Sequence, residues 1–216
     1  MADKLKNTSI MKTSKYLLIF MSIMFAFYAC SDDSVSVIDV EPEPDPDPEE
    51  QELDPALIGT WVADPAAGSL AVGPTAEDLS WWSIAAGDVE ARQCFYEDQY
   101  VFGDDGSFQN VLGDETWLET WQEGVEEDGC GAPIAPHDGS NVGQWSVSGT
   151  TVTIDGEGNY LGLSKVHNGG EDGNPSNNRI NYTYELSDND DILEIRISGW
   201  LDDVPDATWY FRLVRQ

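Results

Sequence analysis

Four tryptophans, Trp81, Trp82, Trp117 and Trp121, fall outside any clear strand pattern. The axial C–H groups of a pyranose ring meet the electron-rich face of an indole, a contact akin to weak C–H and cation interactions with aromatic rings. Carboxylates and amides beside the indoles would pair with sugar hydroxyls. The same side chains could equally pin long loops to the body of the fold. His137 and Asp138 sit between Pro136 and Gly139, a rigid turn in which the imidazole caps backbone or touches a ligand. Neither a serine elbow nor a catalytic cysteine accompanies them. Glu115 and Glu119 flank Trp117, and two carboxylates at a suitable separation hydrolyse glycosides. With 41 acidic residues in the chain such pairs arise by chance, so a non-catalytic protein is expected.

Metal and cofactor chemistry is weakly indicated. Asp104, Asp105, Asp188, Asn189, Asp190 and Asp191 lie in turn patterns, and calcium takes oxygen ligands from flexible loops. The twelve-residue EF-hand pattern is missing, and acidic turns are mostly Asx turns with solvated charge. No metal ligands and no cofactor are assigned, with a structural calcium ion left open. Zinc is disfavoured by the wide separation of Cys94 and Cys130, and no phosphate-binding glycine loop runs from a strand into a helix.

The elements that must position these groups read as all-β. Leu57 to Val62 is a first strand. Gln99 to Phe102 and Ser107 to Val111 flank the turn Gly103-Asp104-Asp105-Gly106 as a hairpin. Gly143 to Val147 with Thr150 to Ile154, and Asn181 to Leu186 with Ile192 to Ile197, make two more, and Thr208 to Val214 closes the chain. Short strands joined by turns indicate a barrel or a two-sheet β-sandwich. Trp61, Trp145 and Trp209 lie inside strand patterns and are core candidates. Only Glu115 to Trp121 hints at a helix, with Trp117 and Trp121 four apart on one face; a twisted loop is the alternative. Ala63 to Asp88 and Gly124 to Ser140 are longer than turns require, and loops of that size carry function or are disordered. Their tryptophans and cysteine favour order.

The first thirty residues resemble a secretory signal: Lys4, Lys6, Lys12 and Lys15, then the apolar run Tyr16 to Tyr28, too short to span a bilayer. A cut after Ala29 exposes Cys30, an arrangement that resembles a lipobox, although Phe27 stands where an aliphatic residue is usual. Ser31-Asp32-Asp33 resembles the surface-export signal of Bacteroidetes lipoproteins. The expected organisation is a signal peptide over 1–29, a lipidated Cys30 with an acidic proline-rich tether over 30–52, and a β domain over 53–216. In the tether, Glu41 to Glu50 alternates prolines with carboxylates, which blocks helix and sheet and extends the chain. From Cys30 onward six basic residues (Arg92, Lys165, Arg179, Arg196, Arg212 and Arg215) face forty acidic ones, a net charge of −34. Such a chain repels nucleic acid and anionic lipid, and neutral ligands are its easier partners. In an exported protein Cys94 and Cys130 most simply form a disulfide; two free thiols are the alternative.

The segments GPTAEDLSWWS (Gly73 to Ser83), YVFGDDGSFQNVLGDETWLETWQ (Tyr100 to Gln122), CGAPIAPHDGS (Cys130 to Ser140) and NYLGLSKVHNG (Asn159 to Gly169) together resemble a module of Bacteroidetes surface proteins that is joined to laminarinase-type glycoside hydrolases. The resemblance covers nearly all of Leu57 to Val214. The Leu-x-Gly-x-Trp start, the Phe-x-x-Asp-Gly-Ser-Phe hairpin and the Trp-Tyr-x-x-Leu ending are also similar to lipocalin-like lipoproteins, which implies about eight antiparallel strands in a barrel. The E-x-D-x-x-E signature of the hydrolase itself is absent, so the resemblance implies glycan-associated rather than hydrolytic work, with β-glucan the first ligand class. It carries over no binding residues. The candidate ligand-binding set is therefore Trp81, Trp82, Trp117, Trp121, His137 and Asp138. The expected partners are a polysaccharide, the outer membrane through the lipid, and an outer-membrane uptake complex. A structural accessory subunit that binds a protein, and a lipocalin-like small-molecule carrier, are the alternatives.

Overall fold

The computed structural model describes residues 52–167, 178–201 and 203–216, all within the unit Pro46–Gln216. The expected signal peptide, the expected lipidation site Cys30 and nearly all of the expected tether lie outside the described residues.

The chain forms a closed, eight-stranded antiparallel barrel, not a sandwich. Its strands are β1 (Gly59–Ala63), β4 (Gln99–Phe102), β5 (Ser107–Val111), β8 (Val142–Ser148), β9 (Thr151–Asp155), β10 (Arg179–Ser187), β11 (Ile192–Ser198) and β12 (Thr208–Arg215), in that order around the ring. Closure comes from β1 pairing β12, with Trp61 opposite Arg215 and Val62 opposite Val214. The N-terminal half of β12 pairs instead with β2 (Leu70–Gly73), Phe211 opposite Leu70, and β3 (Trp82–Ser83) adds to the far side of β2. Thus β1 and β2 lie end to end along one partner. The excursion between them, 64–69, is clamped by Arg212: its backbone bonds Asp64 N–H and the Ser69 carbonyl, and its guanidinium holds the Asp64 carboxylate at 2.6 Å.

The strands alternate as half-buried strands do, for example buried Tyr100 and Phe102 between half-exposed neighbours on β4. Inside, Trp61 and Trp145 are fully buried, each donating its N–H to a carbonyl, of Leu57 and Gly103 respectively. Phe102 meets Phe108 and Trp145 edge-on, both at 5.1 Å. Two inward tyrosines identify what fills the centre. Tyr100 on β4 and Tyr182 on β10 come from opposite walls of the ring; Tyr100 donates to the Gly162 carbonyl, and Tyr182 accepts from Leu161 N–H. The segment 159–163, after β9, therefore runs through the lumen as a plug. Its Gly162 has φ +78°, and a Cβ there would lie 2.4 Å from the Phe211 ring.

Because successive barrel strands are antiparallel, connections alternate between the two ends. One end has the short turns, 103–106, 149–150 and 188–191. The last holds Asp188, Asn189 and Asp190 all at positive φ, which Asn and Asp tolerate better than other side chains. The other end receives every long connection: 64–98, 112–141, 156–178 and 199–207. All the loop tryptophans are therefore delivered to one mouth.

Several elements there differ from the sequence expectation. Residues 70–73 are a strand rather than loop, and helices α1 (Ala86–Ala91) and α2 (Gln93–Glu97) follow it. Glu115 to Trp121 is not helical: Thr116–Leu118 is strand β6, paired with β7 (Gly129–Gly131) in a separate two-stranded ribbon. Ribbon pairing across 129–131 supplies the backbone partners a helix would have found locally. The Cys94–Cys130 disulfide forms and ties α2 to this ribbon. A second tie is buried: Thr116 donates its hydroxyl to Asp98 at 2.6 Å. Burial pushes the Asp98 carboxyl up to about 7, helped by the charge of Glu97, against the pull of Thr116 and the Gly113 backbone.

Two outcomes follow for stability. Gly162→Ala combines a clash with a positive φ and should cost at least about 2 kcal/mol in urea unfolding; a cost near zero would mean the plug is not packed as described. Asp98 binds its proton more tightly folded than unfolded. Its contribution is therefore fully present below about pH 4 and lost as pH rises to about 7, by at most about 4 kcal/mol. Asp98→Asn should flatten that part of the stability–pH curve relative to the parent; parallel curves for the two proteins would contradict it.

Candidate functional site

The mouth is organised by a chain of side-chain contacts that starts at the disulfide. On the β6–β7 ribbon Trp117 lies directly opposite Cys130, and Cys130 is bonded to Cys94, two residues after Arg92. Arg92 occupies the junction of α1 and α2. Its guanidinium lies 4.2 Å over the Trp117 ring and 5.7 Å from that of Trp82. Trp82 in turn meets Trp209 edge-on at 6.2 Å, and Trp209 touches Trp200 and stacks on Phe211. The Lys165 ammonium, from the 3₁₀ turn Ser164–His167 beyond the plug, sits 5.1 Å over the other side of this array, at Trp209.

Lys165 leads to the central group. Its Nζ is 3.2 Å from one oxygen of Glu119, and the other oxygen accepts the Trp121 indole N–H at 3.3 Å. Glu119 is buried, and a reciprocal turn fixes it: Glu119 N–H donates to the Gln122 side chain, and Gln122 N–H to the Glu119 carbonyl. Beyond Trp121, His137 packs edge-on at 5.9 Å and then Tyr160 at 5.7 Å. Burial pushes the His137 pKa down, opposed by the charge of Asp138, so the imidazole is neutral at pH 7 and offers one donor and one acceptor.

Two pockets flank Glu119. One, of about 370 Å³, is walled by Trp121, Ile134, Pro136 and His137 and rimmed by Gln122 and Glu123. The other, of about 250 Å³, is lined by Val72, Trp82, Arg92, Leu163, Lys165 and Trp209. The Glu119 carboxylate bonds to a wall residue of each. A third depression, over the disulfide, is lined by Glu90, Glu97, Asp114 and Glu115. Glu115 and Glu119 thus serve different surfaces and do not face each other across a cleft. Among the described residues, no group of three or more His, Cys, Asp or Glu side chains is placed to hold a metal ion.

The six candidate residues divide accordingly. Trp121 and His137 meet in the first pocket. Trp82 lines the second, and Trp117 lies half-buried beneath its Arg92. Trp81 is 48% exposed and lines neither. Asp138 is engaged in its own turn, accepting the Ser140 N–H and hydroxyl, which hold its pKa below the usual carboxylate range. Sequence reasoning missed Arg92, Lys165, the positioning role of Glu119 and the pocket face of Trp209. The usable signal was the scarcity of cations: two of the six that follow residue 29 line one pocket.

Comparison with protein-family models and with curated proteins finds no match for this chain.

Removing the central carboxylate takes the Glu119 contact from both Lys165 and the Trp121 N–H. Glu119→Ala should cost about 2–3 kcal/mol and change the tryptophan emission, while Glu119→Gln retains an acceptor for Trp121 and loses less. Equal stability of Glu119→Ala and the parent in denaturant unfolding would remove Glu119 from this role.

Proposed function

We propose that the protein is a non-catalytic, surface-displayed glycan-binding lipoprotein that captures a largely neutral polysaccharide, with β-glucan the first class to try, for an outer-membrane uptake system. The carrying observation is the 370 Å³ pocket in which the Trp121 indole, Pro136 and the neutral His137 form walls, with Gln122 and Glu123 at the rim. A lining that mixes an indole, Ile134 and Pro136 with amide, carboxylate and imidazole groups suits a sugar ring, which presents C–H faces and a hydroxyl edge. The pre-set Trp121, held by Glu119, costs little ordering entropy on binding. The lipid anchor at Cys30 and the acidic tether rest on sequence alone and would keep the mouth clear of the membrane.

The non-catalytic reading is supported by the separation of Glu115 from Glu119 onto different surfaces and by the engagement of Asp138 in its turn. A carrier of small apolar molecules would need the lumen that Leu161 and Gly162 occupy. A protein-binding accessory subunit has one observation in its favour: Trp81, 48% exposed, lies beside the edge strand β3, and exposed aromatics suit protein contacts.

Calorimetric titration of the mature chain with neutral glycans including laminarin is the test. Saturable binding is expected, weakened by about 1–3 kcal/mol in Trp121→Ala, a size taken from aromatic stacking on nucleic-acid bases, and unchanged in Trp81→Ala. No heat with any glycan would reject the reading; weakening by Trp81→Ala alone would move the site to β3.

A further inference from the structure

We propose that the second pocket, between Arg92, Lys165, Trp82 and Trp209, is a subsite for a single acidic sugar, a hexuronate unit carried on an otherwise neutral glycan. The inference rests on the glycan reading and refines its ligand class.

The charge distribution is the first ground. Forty acidic residues surround six basic ones in the mature chain. Arg179, Arg196, Arg212 and Arg215 each lie within 4 Å of a carboxylate, of Asp155, Glu194, Asp64 and Asp191 respectively. Arg92 makes no ion pair and no side-chain hydrogen bond among the described residues, despite that excess of anions. The contact with Trp117 is a cation–π one, 4.2 Å from guanidinium carbon to ring centroid, and it gives the N–H donors no oxygen or nitrogen acceptor. Those donors match a carboxylate in geometry.

The pocket itself is the second ground. It places a second cation, Lys165, on the same wall set, against the apolar surfaces of Val72, Leu163, Trp82 and Trp209. The carboxylate of Glu119, which bonds the pocket's Lys165, also serves Trp121. Cations beside aromatic walls fit a ring that carries an anionic group. At about 250 Å³ the space is below the ~300–1,000 Å³ typical of drug-sized ligands and suits one unit, not an oligomer. A polyanion with a charge on every unit would meet the repulsion of the whole domain, whereas a single carboxylate meets it once, beside the Arg92 guanidinium and with Lys165 already shared with Glu119. Neutral units of the same glycan would lie toward Trp121 and His137.

The test is titration of the full mature chain with a tetrasaccharide containing one glucuronate on three neutral sugars, with its carboxyl-reduced form, and with laminarin. The expected result is affinity for the acid form at least ten-fold above the reduced form. The preference should fall with added salt, be erased by Arg92→Gln at unchanged melting temperature, be partly restored by Arg92→Lys, and persist in Trp81→Ala. Equal affinity for acid and reduced forms, or binding of laminarin with no binding of either tetrasaccharide, overturns the acidic subsite and leaves the glycan reading intact. No binding of any glycan overturns both.

Discussion

Pairing around β12 is the constraint from which the rest of the molecule follows. This strand bonds to β11 along one edge and to β1 and β2 in succession along the other. The β1 contact closes the ring and removes the exposed edges that an open sheet would present. The β2 contact carries the chain from the barrel wall out to the mouth, where β3, α1 and α2 present Trp82 and Arg92. Ring closure in an antiparallel order also decides that short turns share one end and long connections the other. The gathering of indoles is therefore a topological consequence of strands that contain none of the loop tryptophans.

Much of this was legible because the strands are local signals. The hairpins around Gly103–Gly106, Gly149 and Asp188–Asp190 combine alternation with turn residues, and each appears within a residue or two of its expected limits. What could not be read depends on distant partners. Leu70–Gly73 is buried along its whole length, so it lacks alternation, and its four residues are too few to mark a strand. The spacing of Trp117 and Trp121 fits a helical face, but Thr116–Leu118 takes its bonds from 129–131 and its anchors from Asp98 and Cys94. The loop indoles were identifiable from composition, and the disulfide from compartment and cysteine count. Arg92 and Lys165 were not, because 72 positions separate them in the chain and only the barrel brings them together.

Electrostatics then distributes the scarce cations between two duties. Arg212 and Arg215 hold the strand junctions and chain ends, Arg215 also covering Trp61 at 4.3 Å and bonding the carbonyls of Ala56 and Ile58. Arg92 and Lys165 both lie over indoles at the mouth instead. Of these two, Arg92 makes no ion pair among the described residues, whereas Lys165 is also paired with Glu119 at 3.2 Å. Glu119 performs the complementary task of fixing Lys165 and Trp121 at once, so one lining residue of each pocket is held by the same carboxylate.

The ribbon that presents Trp117 belongs to no part of the barrel ladder; its covalent connection to α2 is the bridge between Cys94 and Cys130. Thiol reductants would therefore act selectively. They would spare the ring of eight strands, whose backbone bonds owe nothing to sulfur, and loosen the arginine–indole stack beside it. Where thiols stay reduced, the ring would form with this ribbon untethered; in an oxidising space the bridge would complete the mouth.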